Sequence, residues 1–347
     1  MADKPLKILE RKFKKLLNAT LSRVLAPPSK QLPAMGEVQK VLVFRLDQRI
    51  GNGILLIPLL RAIRESGSQI ELHFLVHHPV AALLEKAEPP LANRIWAYHQ
   101  SELMRRPWRM LALISRLRNL QFDAVITSNN PDGFSLSQAI FGRLCKPRWL
   151  IGFDAKSGAK YYDVAVKSSN QMHYSDAMID LWRAIDPAAK FHPGGLQLPA
   201  APSKNDTSPV LIWLGATGNK ILPGKIFAEL NEQIRAIADV PVAFACGPAD
   251  AAHLQNYPDW IRERTEIWKA PLTETATFFA GFRAFVSGDT GPMHLAVALG
   301  IPTLTIFIDS NIRQYGYNDG ERHFSILLND SANTKQLINN ALSTLLR

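Results

Sequence analysis

The chain has 347 residues, 47% of them hydrophobic and 20% charged, with 40 Lys+Arg against 30 Asp+Glu for a net charge of +10. That composition is ordinary for a globular protein, and at about 100–200 residues per domain the length suggests two domains. Two distant cysteines, Cys145 and Cys246, exclude a disulfide framework and a zinc knuckle, and no apolar run reaches the roughly 18 residues of a membrane-spanning helix.

The N-terminus is charged and lacks the compact apolar segment of a secretory signal, so a cytoplasmic protein is expected. Residues 1–40 hold nine Lys/Arg against three acids, which concentrates the positive charge in a basic N-terminal arm over residues 1–35. Within it, Leu6, Leu9, Phe13, Leu16, Leu17 and Val24 recur at helical spacing, with Lys7, Arg11, Lys14 and Lys15 opposite them. Such an amphipathic helix either lies on an anionic membrane surface or packs on the protein body. Pro27 and Pro28 end it. Nucleic acid is not the expected partner, because its binders spread their charge over a folded face.

From residue 36 to 190 the pattern is strand, loop, helix. Lys40–Leu46 reads as a buried strand, Asp47–Gly53 as a loop, and Ile54–Arg64 as a helix kinked at Pro58. Glu71–Val76 is a strand, Val80–Lys86 a short helix, Arg94–Tyr98 a strand, Trp108–Asn119 a helix and Ala124–Thr127 a strand. Residues 191–209 are a proline-rich linker without periodicity. Over residues 210–330 the alternation restarts: strands at Val210–Leu214, Val242–Ala245, Ala284–Val286 and Thr303–Phe307, and helices at Lys225–Ala236, Leu272–Ala280 and Met293–Leu299. A last helix, Thr334–Leu346, falls in residues 331–347. The fold class is therefore α/β, with two doubly wound, Rossmann-like domains facing a cleft.

The most informative segment is Ala284–Phe307, AFVSGDTGPMHLAVALGIPTLTIF. A strand enters a Gly-rich turn with Asp289, Thr290 and Gly291, and a helix starts at once. The unpaired N–H groups and positive dipole end of such a helix suit a diphosphate. His294, in the first turn, can donate to a phosphate or sugar oxygen. A helix merely capped by Asp289 or Thr290, with His294 satisfied in the core, is the plainer reading of the same residues.

This segment resembles the D-[ST]-G-x-x-H-L-A-x-A-L-G-x-P-T signature of the family 9 glycosyltransferases, the lipopolysaccharide heptosyltransferases. Further matches occur in order: VLVFRLDQRIGNGILLIPLLRAIR as the first strand, loop and helix, IGFDAKSGAKYYDVAV followed by His173 and Asp176, WLGATGNKILPGKIFAEL, and FACGPAD. The resemblance implies a GT-B fold and inverting transfer of heptose from ADP-heptose to a Kdo or heptose sugar of the lipopolysaccharide core. It implies donor contacts from Thr217, Gly218, Lys220, Gly247, Asp250, Asp289, Thr290, Gly291 and His294. It also implies peripheral attachment to the inner face of the bacterial inner membrane. No D-x-D metal motif is present, so neither metal nor other cofactor is expected.

Two departures stand out. The family pattern after the first strand, R-x-[SD]-x-x-G-D, ends in the Asp taken as catalytic base, whereas here Asn52 holds that position in a loop one residue longer. An amide cannot take a proton at neutral pH. Either Asp47 in the same loop serves, or another carboxylate such as Asp132 or Asp154 does, or the chain binds lipopolysaccharide without catalysis. As plain structure, Asp47 caps a turn and Asn52 a helix. The second departure is Leu222 in place of the Trp before Pro223, with Asp250 where Glu is common, which leaves another donor sugar open. Acceptor candidates are the basic residues Arg49, Arg61, Arg64, Arg105, Arg106, Lys156 and Lys160, which suit an anionic acceptor or form a solvated basic face. A dinucleotide oxidoreductase is disfavoured because the loop after the first strand lacks G-x-G-x-x-G.

Overall fold

The computed structural model describes residues 32–99, 101, 105–156, 158–168, 171–198, 207–308, 311–328 and 332–347. The amphipathic helix expected over residues 5–25 lies outside the described residues. The first half contains strands β1 (Lys40–Phe44), β2 (Glu71–His77), β3 (Arg94–Tyr98), β4 (Ala124–Thr127), β5 (Trp149–Phe153) and β6 (Val164–Val166). Its helices are α1 (Ile50–Ile54), α2 (Ile57–Ser66), α3 (His78–Leu84), α4 (Pro107–Asn119), α5 (Leu136–Leu144) and α6 (Tyr174–Arg183). The second half contains β7 (Val210–Trp213), β8 (Val242–Cys246), β9 (Thr265–Ile267), β10 (Ala284–Gly288), β11 (Thr303–Phe307) and β12 (His323–Leu327). Its helices are α7 (Gly224–Ile237), α8 (Asp259–Arg264), α9 (Leu272–Ala280), α10 (Gly291–Ala298), α11 (Ile312–Tyr315) and α12 (Ala332–Leu345).

Each half is one parallel six-stranded sheet, ordered β3-β2-β1-β4-β5-β6 and β12-β11-β10-β7-β8-β9. The two orders are the same topology. In each, the chain starts at the centre, winds outward to one edge, then returns and winds to the other. The strand sequences follow from this. A parallel strand covered on both faces must be apolar on both, and in β1 Val41 and Val43 pack toward α2 and α6 while Leu42 and Phe44 pack toward α4 and α5.

One long helix kinked at Pro58 does not form. The chain ends α1 at Ile54 and restarts at Ile57, so that Pro58 lies in the first turn of α2. There its missing N–H leaves no intrahelical bond unmade. The last helix, α12, packs on α7, β11 and β12 and so completes the second layer structure.

The halves meet through α1 against α10 and α3 against α9. At the first contact the backbones touch: a Cβ on Gly51 would stand 3.3 Å from both Gly291 Cα and His294 Cδ2. A side chain there would require the neighbours to give by a few tenths of an ångström. Behind it, Leu196 N–H donates to the Ala298 carbonyl at 2.8 Å, tying the crossing segment to the end of α10.

Candidate functional site

In an open parallel sheet the loops at the carboxyl ends diverge where the strand order reverses, leaving a crevice for a ligand. The reversals here lie between β1 and β4 and between β7 and β10. The residues singled out from the sequence fall at these two points: Asp47 and Asn52 after β1, Lys220 after β7, and Asp289 to His294 after β10.

On the second sheet, Lys220 Nζ lies 2.6 Å from Asp289 Oδ2, and Asp289 is only 5% exposed. A buried carboxylate needs such a partner. The ammonium also lies 5.6 Å from the centroid of the Tyr315 ring. Thr290 holds the N-cap position of α10, yet its hydroxyl makes no capping bond. The plain capping reading of Thr290 therefore does not hold, and the hydroxyl is available to a ligand at a helix N-terminus. His294 is buried one turn in, its Nδ1 3.1 Å from the Tyr317 hydroxyl. Burial holds its pKa well below the imidazole range, against the pull of Asp289, so the ring is neutral at pH 7. Thr217 and Gly218 are exposed in the turn that carries Lys220, with Gly218 at φ +61°.

Next to α10 lies a cavity of about 420 Å³, its walls supplied by both halves. The second half gives Trp213, Gly247, Trp268, Pro271, Gly291 and Pro292, and the first gives Ile50, His78 and Pro79. Trp268 is fixed by stacking on Phe278 (ring centroids 4.0 Å apart) and by donating from Nε1 to Thr275 Oγ1 at 2.9 Å. Asp250 lies behind Trp213, where a Cβ on Gly215 would come within 2.3 Å of Asp250 Oδ2 and 2.8 Å of Trp213 Nε1. Burial raises the Asp250 pKa, and the backbone N–H groups of Gly247 and Ala216 partly offset it. Sequence reasoning found Gly247 and Asp250 but missed the two tryptophans. Both stand just at or after a strand's carboxyl end, a placement that marks ligand contacts in such sheets.

On the first sheet, buried Arg45 organises the opposite wall. Its Nε donates to Asp47 Oδ2 at 2.5 Å, Nη1 to the Tyr174 hydroxyl at 2.6 Å and to the Ser128 carbonyl, and Nη2 to Asn130 Oδ1 at 2.8 Å. Asp47 accepts two further bonds, from Arg49 N–H at Oδ1 and from Asn52 Nδ2 at Oδ2, each at 3.0 Å. Asn52 is thus not an N-cap; it lies inside α1 and holds Asp47. The carboxylate keeps acceptor capacity, since it offers about four lone-pair sites and three are used.

Side chains from α6 and the segment after β11 close the junction. Tyr174 stacks on Tyr315 at 5.7 Å, and His173 packs on Tyr317 at 4.5 Å and on Phe191 at 5.4 Å. The Ser175 side chain hydrogen-bonds Tyr317. His173 caps α6 by accepting from Ser175 N–H at 3.2 Å, and burial pushes its pKa down to about 4. Tyr315 links the two switch points: Lys220 Nζ lies 5.6 Å from its ring centroid, and Tyr174, which accepts from Arg45, stacks on it at 5.7 Å.

The acceptor candidates separate. Arg49 is exposed beside Asp47. Lys156 and Lys160 lie in the segment after β5, with Lys160 Nζ 5.4 Å from the Tyr161 ring centroid. Arg105 and Arg106 are exposed just before α4. Arg61 and Arg64 instead line a second cavity of about 240 Å³, with Pro89, Leu91 and Gly195, that shares no lining residue with the first. Asp132 and Asp154 are both exposed, and only Asp132 is near Tyr315. Among the described residues no group of three or more His, Cys, Asp or Glu is placed to hold a metal ion. No helix among them is long and apolar enough to cross a membrane.

No curated protein matches the chain by sequence. The structure is similar to E. coli ADP-heptose lps heptosyltransferase II, with a TM-score of 0.66 at 15% identity over 89% of this chain and 98% of that one. It is similar to E. coli heptosyltransferase WaaC with ADP-2-deoxy-2-fluoro heptose, with a TM-score of 0.63 at 18% identity over 88% and 96%. A family 9 glycosyl transferase from Veillonella parvula DSM 2008 gives 0.65 at 15% identity over 86% and 87%. These likenesses show the GT-B fold. The model of glycosyltransferase family 9 (heptosyltransferase) matches residues 110–341, and the chain therefore belongs to this family and is a glycosyltransferase.

Proposed function

We propose that the chain transfers heptose, with inversion, from ADP-L-glycero-D-manno-heptose to a Kdo or heptose sugar of the lipopolysaccharide inner core. The observation that carries this reading is the Lys220–Asp289 pair beside the open N-terminus of α10 and next to the Trp213–Trp268 cavity. A cation and a helix terminus suit a diphosphate, and the aromatic cavity suits the attached base. The solved WaaC structure with an ADP-fluoroheptose supports this choice of donor.

In this reading Asp47 takes the proton of the acceptor hydroxyl as its oxygen attacks the anomeric carbon. The bond from that carbon to the diphosphate oxygen breaks, and ADP leaves with the electron pair. Lys220, Thr217, Gly218, Thr290 and Gly291 stabilise the leaving charge. Asn52 holds Asp47, and His294 contacts the phosphate or sugar. Arg49, Arg105, Lys156 and Lys160 draw an anionic acceptor to the first wall, and the enzyme works in the cytoplasm at the inner membrane. Asn52 also gives substance to a second reading, a family member that binds lipopolysaccharide without transfer.

The test is a thermal-shift panel of nucleotide sugars followed by mass-spectrometric assay of transfer to Kdo-lipid A. Stabilisation by ADP-heptose and a mass gain of one heptose are expected. Stabilisation by GDP or UDP sugars alone would overturn the donor, and donor binding without transfer would favour the second reading.

A further inference from the structure

Helix α4 carries two apolar stripes. One, Met110, Leu113, Ile114 and Leu117, packs on the first sheet. The other, Trp108, Leu111 and Ala112, has the same helical spacing and faces outward. Trp108 is 61% exposed and Leu111 67%. Leaving both in water costs free energy that burial elsewhere would recover. The outward stripe is flanked by Arg109 and Arg116 on one side and Arg118 on the other, with Arg105 and Arg106 exposed at its start. No acid occurs from 105 to 119.

Five arginines decide what can cover this face. A second copy would set arginines against arginines. Residues 1–31 carry eight Lys/Arg against two acids and are repelled in the same way. An anionic lipid surface satisfies both features, because Trp and Leu enter the headgroup boundary while arginines meet phosphates. The position also fits. The Tyr98 hydroxyl at the end of β3 donates to the Asp47 carbonyl at 2.9 Å, and His99 stacks at 4.3 Å on His78, which lines the cavity. The chain thus leaves β3 at the cleft and reaches Arg105 within six residues.

We infer that the outward face of α4 is a membrane-docking surface for anionic lipid headgroups, with Trp108 and Leu111 inserted and the arginines around them bound to phosphate. It would set the cleft mouth at the bilayer, and this consequence alone rests on the proposed lipid-borne acceptor.

The test uses the full chain, phosphatidylcholine vesicles with about 30% phosphatidylglycerol, and brominated phosphatidylcholine as quencher of the seven tryptophans. Wild type binds and is quenched. Trp108→Phe still binds but loses most of the quenching. Trp108→Ser with Leu111→Ser weakens partition about tenfold or more. Both sites are exposed, so folding is preserved, and ADP titration of the variants matches wild type. Failure of ADP to bind any of the three proteins would count against the proposed function and leave the docking result intact. Absence of wild-type binding, quenching that survives in Trp108→Phe, or unchanged partition of the double variant overturns the inference. Unchanged partition with a shift from dimer to monomer in sedimentation would assign the face to a second copy.

Discussion

The two sheets have one topology but treat their switch points differently. In the second half the loops after β7 and β10 meet as a cation and a buried carboxylate, Lys220 and Asp289, beside a helix terminus whose cap residue spends no side chain on the helix. In the first half the loops after β1 and β4 are gathered by one buried guanidinium, Arg45, which binds Asp47, Ser128, Asn130 and Tyr174. The second wall keeps the Asp289–His294 signature but departs at Leu222 and Asp250, while the first keeps Asp47 and carries Asn52 where the family pattern ends in Asp. The difference shows what each wall is built to hold: the first fixes a carboxylate, Asp47, through Arg45 and Asn52, while the second sets a cation beside a helix terminus.

The largest effect that tests this contrast is on the first wall. Asp47→Ala is expected to lower transfer about 10²–10⁴-fold with the ADP dissociation constant unchanged, read by steady-state kinetics and calorimetry. Normal turnover would remove Asp47 from the chemistry. On the second wall, Lys220→Ala should weaken ADP about 10–100-fold, the scale of a charge-assisted hydrogen bond. Calorimetry showing an unaltered constant would deny Lys220 its phosphate role. Where the walls touch, Gly51→Ala forces a Cβ to 3.3 Å from Gly291 Cα and His294 Cδ2. A loss of about 1–3 kcal/mol in unfolding stability and several-fold lower turnover are expected. A variant as stable and active as wild type would mean that the halves do not close through this contact in solution.

The smallest effect is the acid response of the junction. His173 is held neutral with its pKa pushed down to about 4, so between that value and about 6.5 the unfolded chain binds a proton that the folded chain refuses. Its contribution is complete above the upper value and is lost as pH falls toward the lower one. His173→Asn keeps an N-cap residue for α6 but cannot titrate. Its melting temperature should fall less steeply over that window; an identical slope would place the acid sensitivity elsewhere, with His294 as the next group to examine.

Much of this was legible in the sequence where local physics decides. KVLVF, VLIW and TLTIF carry apolar side chains on both alternations because both faces are covered, and the turn before α10 marks itself by glycines and a polar run. The strands β5, β6, β9 and β12 were not read. WLIGF leads into a turn-rich stretch, and VAV, TEI and HFSIL are too short or too polar to show a period of their own; they are strands because a neighbour pairs with them. The same holds for the site. Lys220, Asp289 and His294 stand in motifs; Arg45 also stands in the first-loop pattern, but its role as a hub, like the roles of Trp213, Trp268, Tyr315 and Tyr317, comes from tertiary neighbours. Pro58 misled because a proline inside an apolar run signals a kink or a start equally well.

In the proposed mechanism Asp47, and not the residue at 52, takes the proton of the acceptor, facing a donor wall built on Lys220 and Asp289. Single-turnover transfer from ADP-heptose tests it, comparing wild type, Asp47→Asn, and Asp47→Asn combined with Asn52→Asp. Transfer should be lost in the single variant at unchanged donor affinity, and regained in the double variant, where a carboxylate again faces an amide across the same 3.0 Å contact. Full turnover by Asp47→Asn alone would contradict the account.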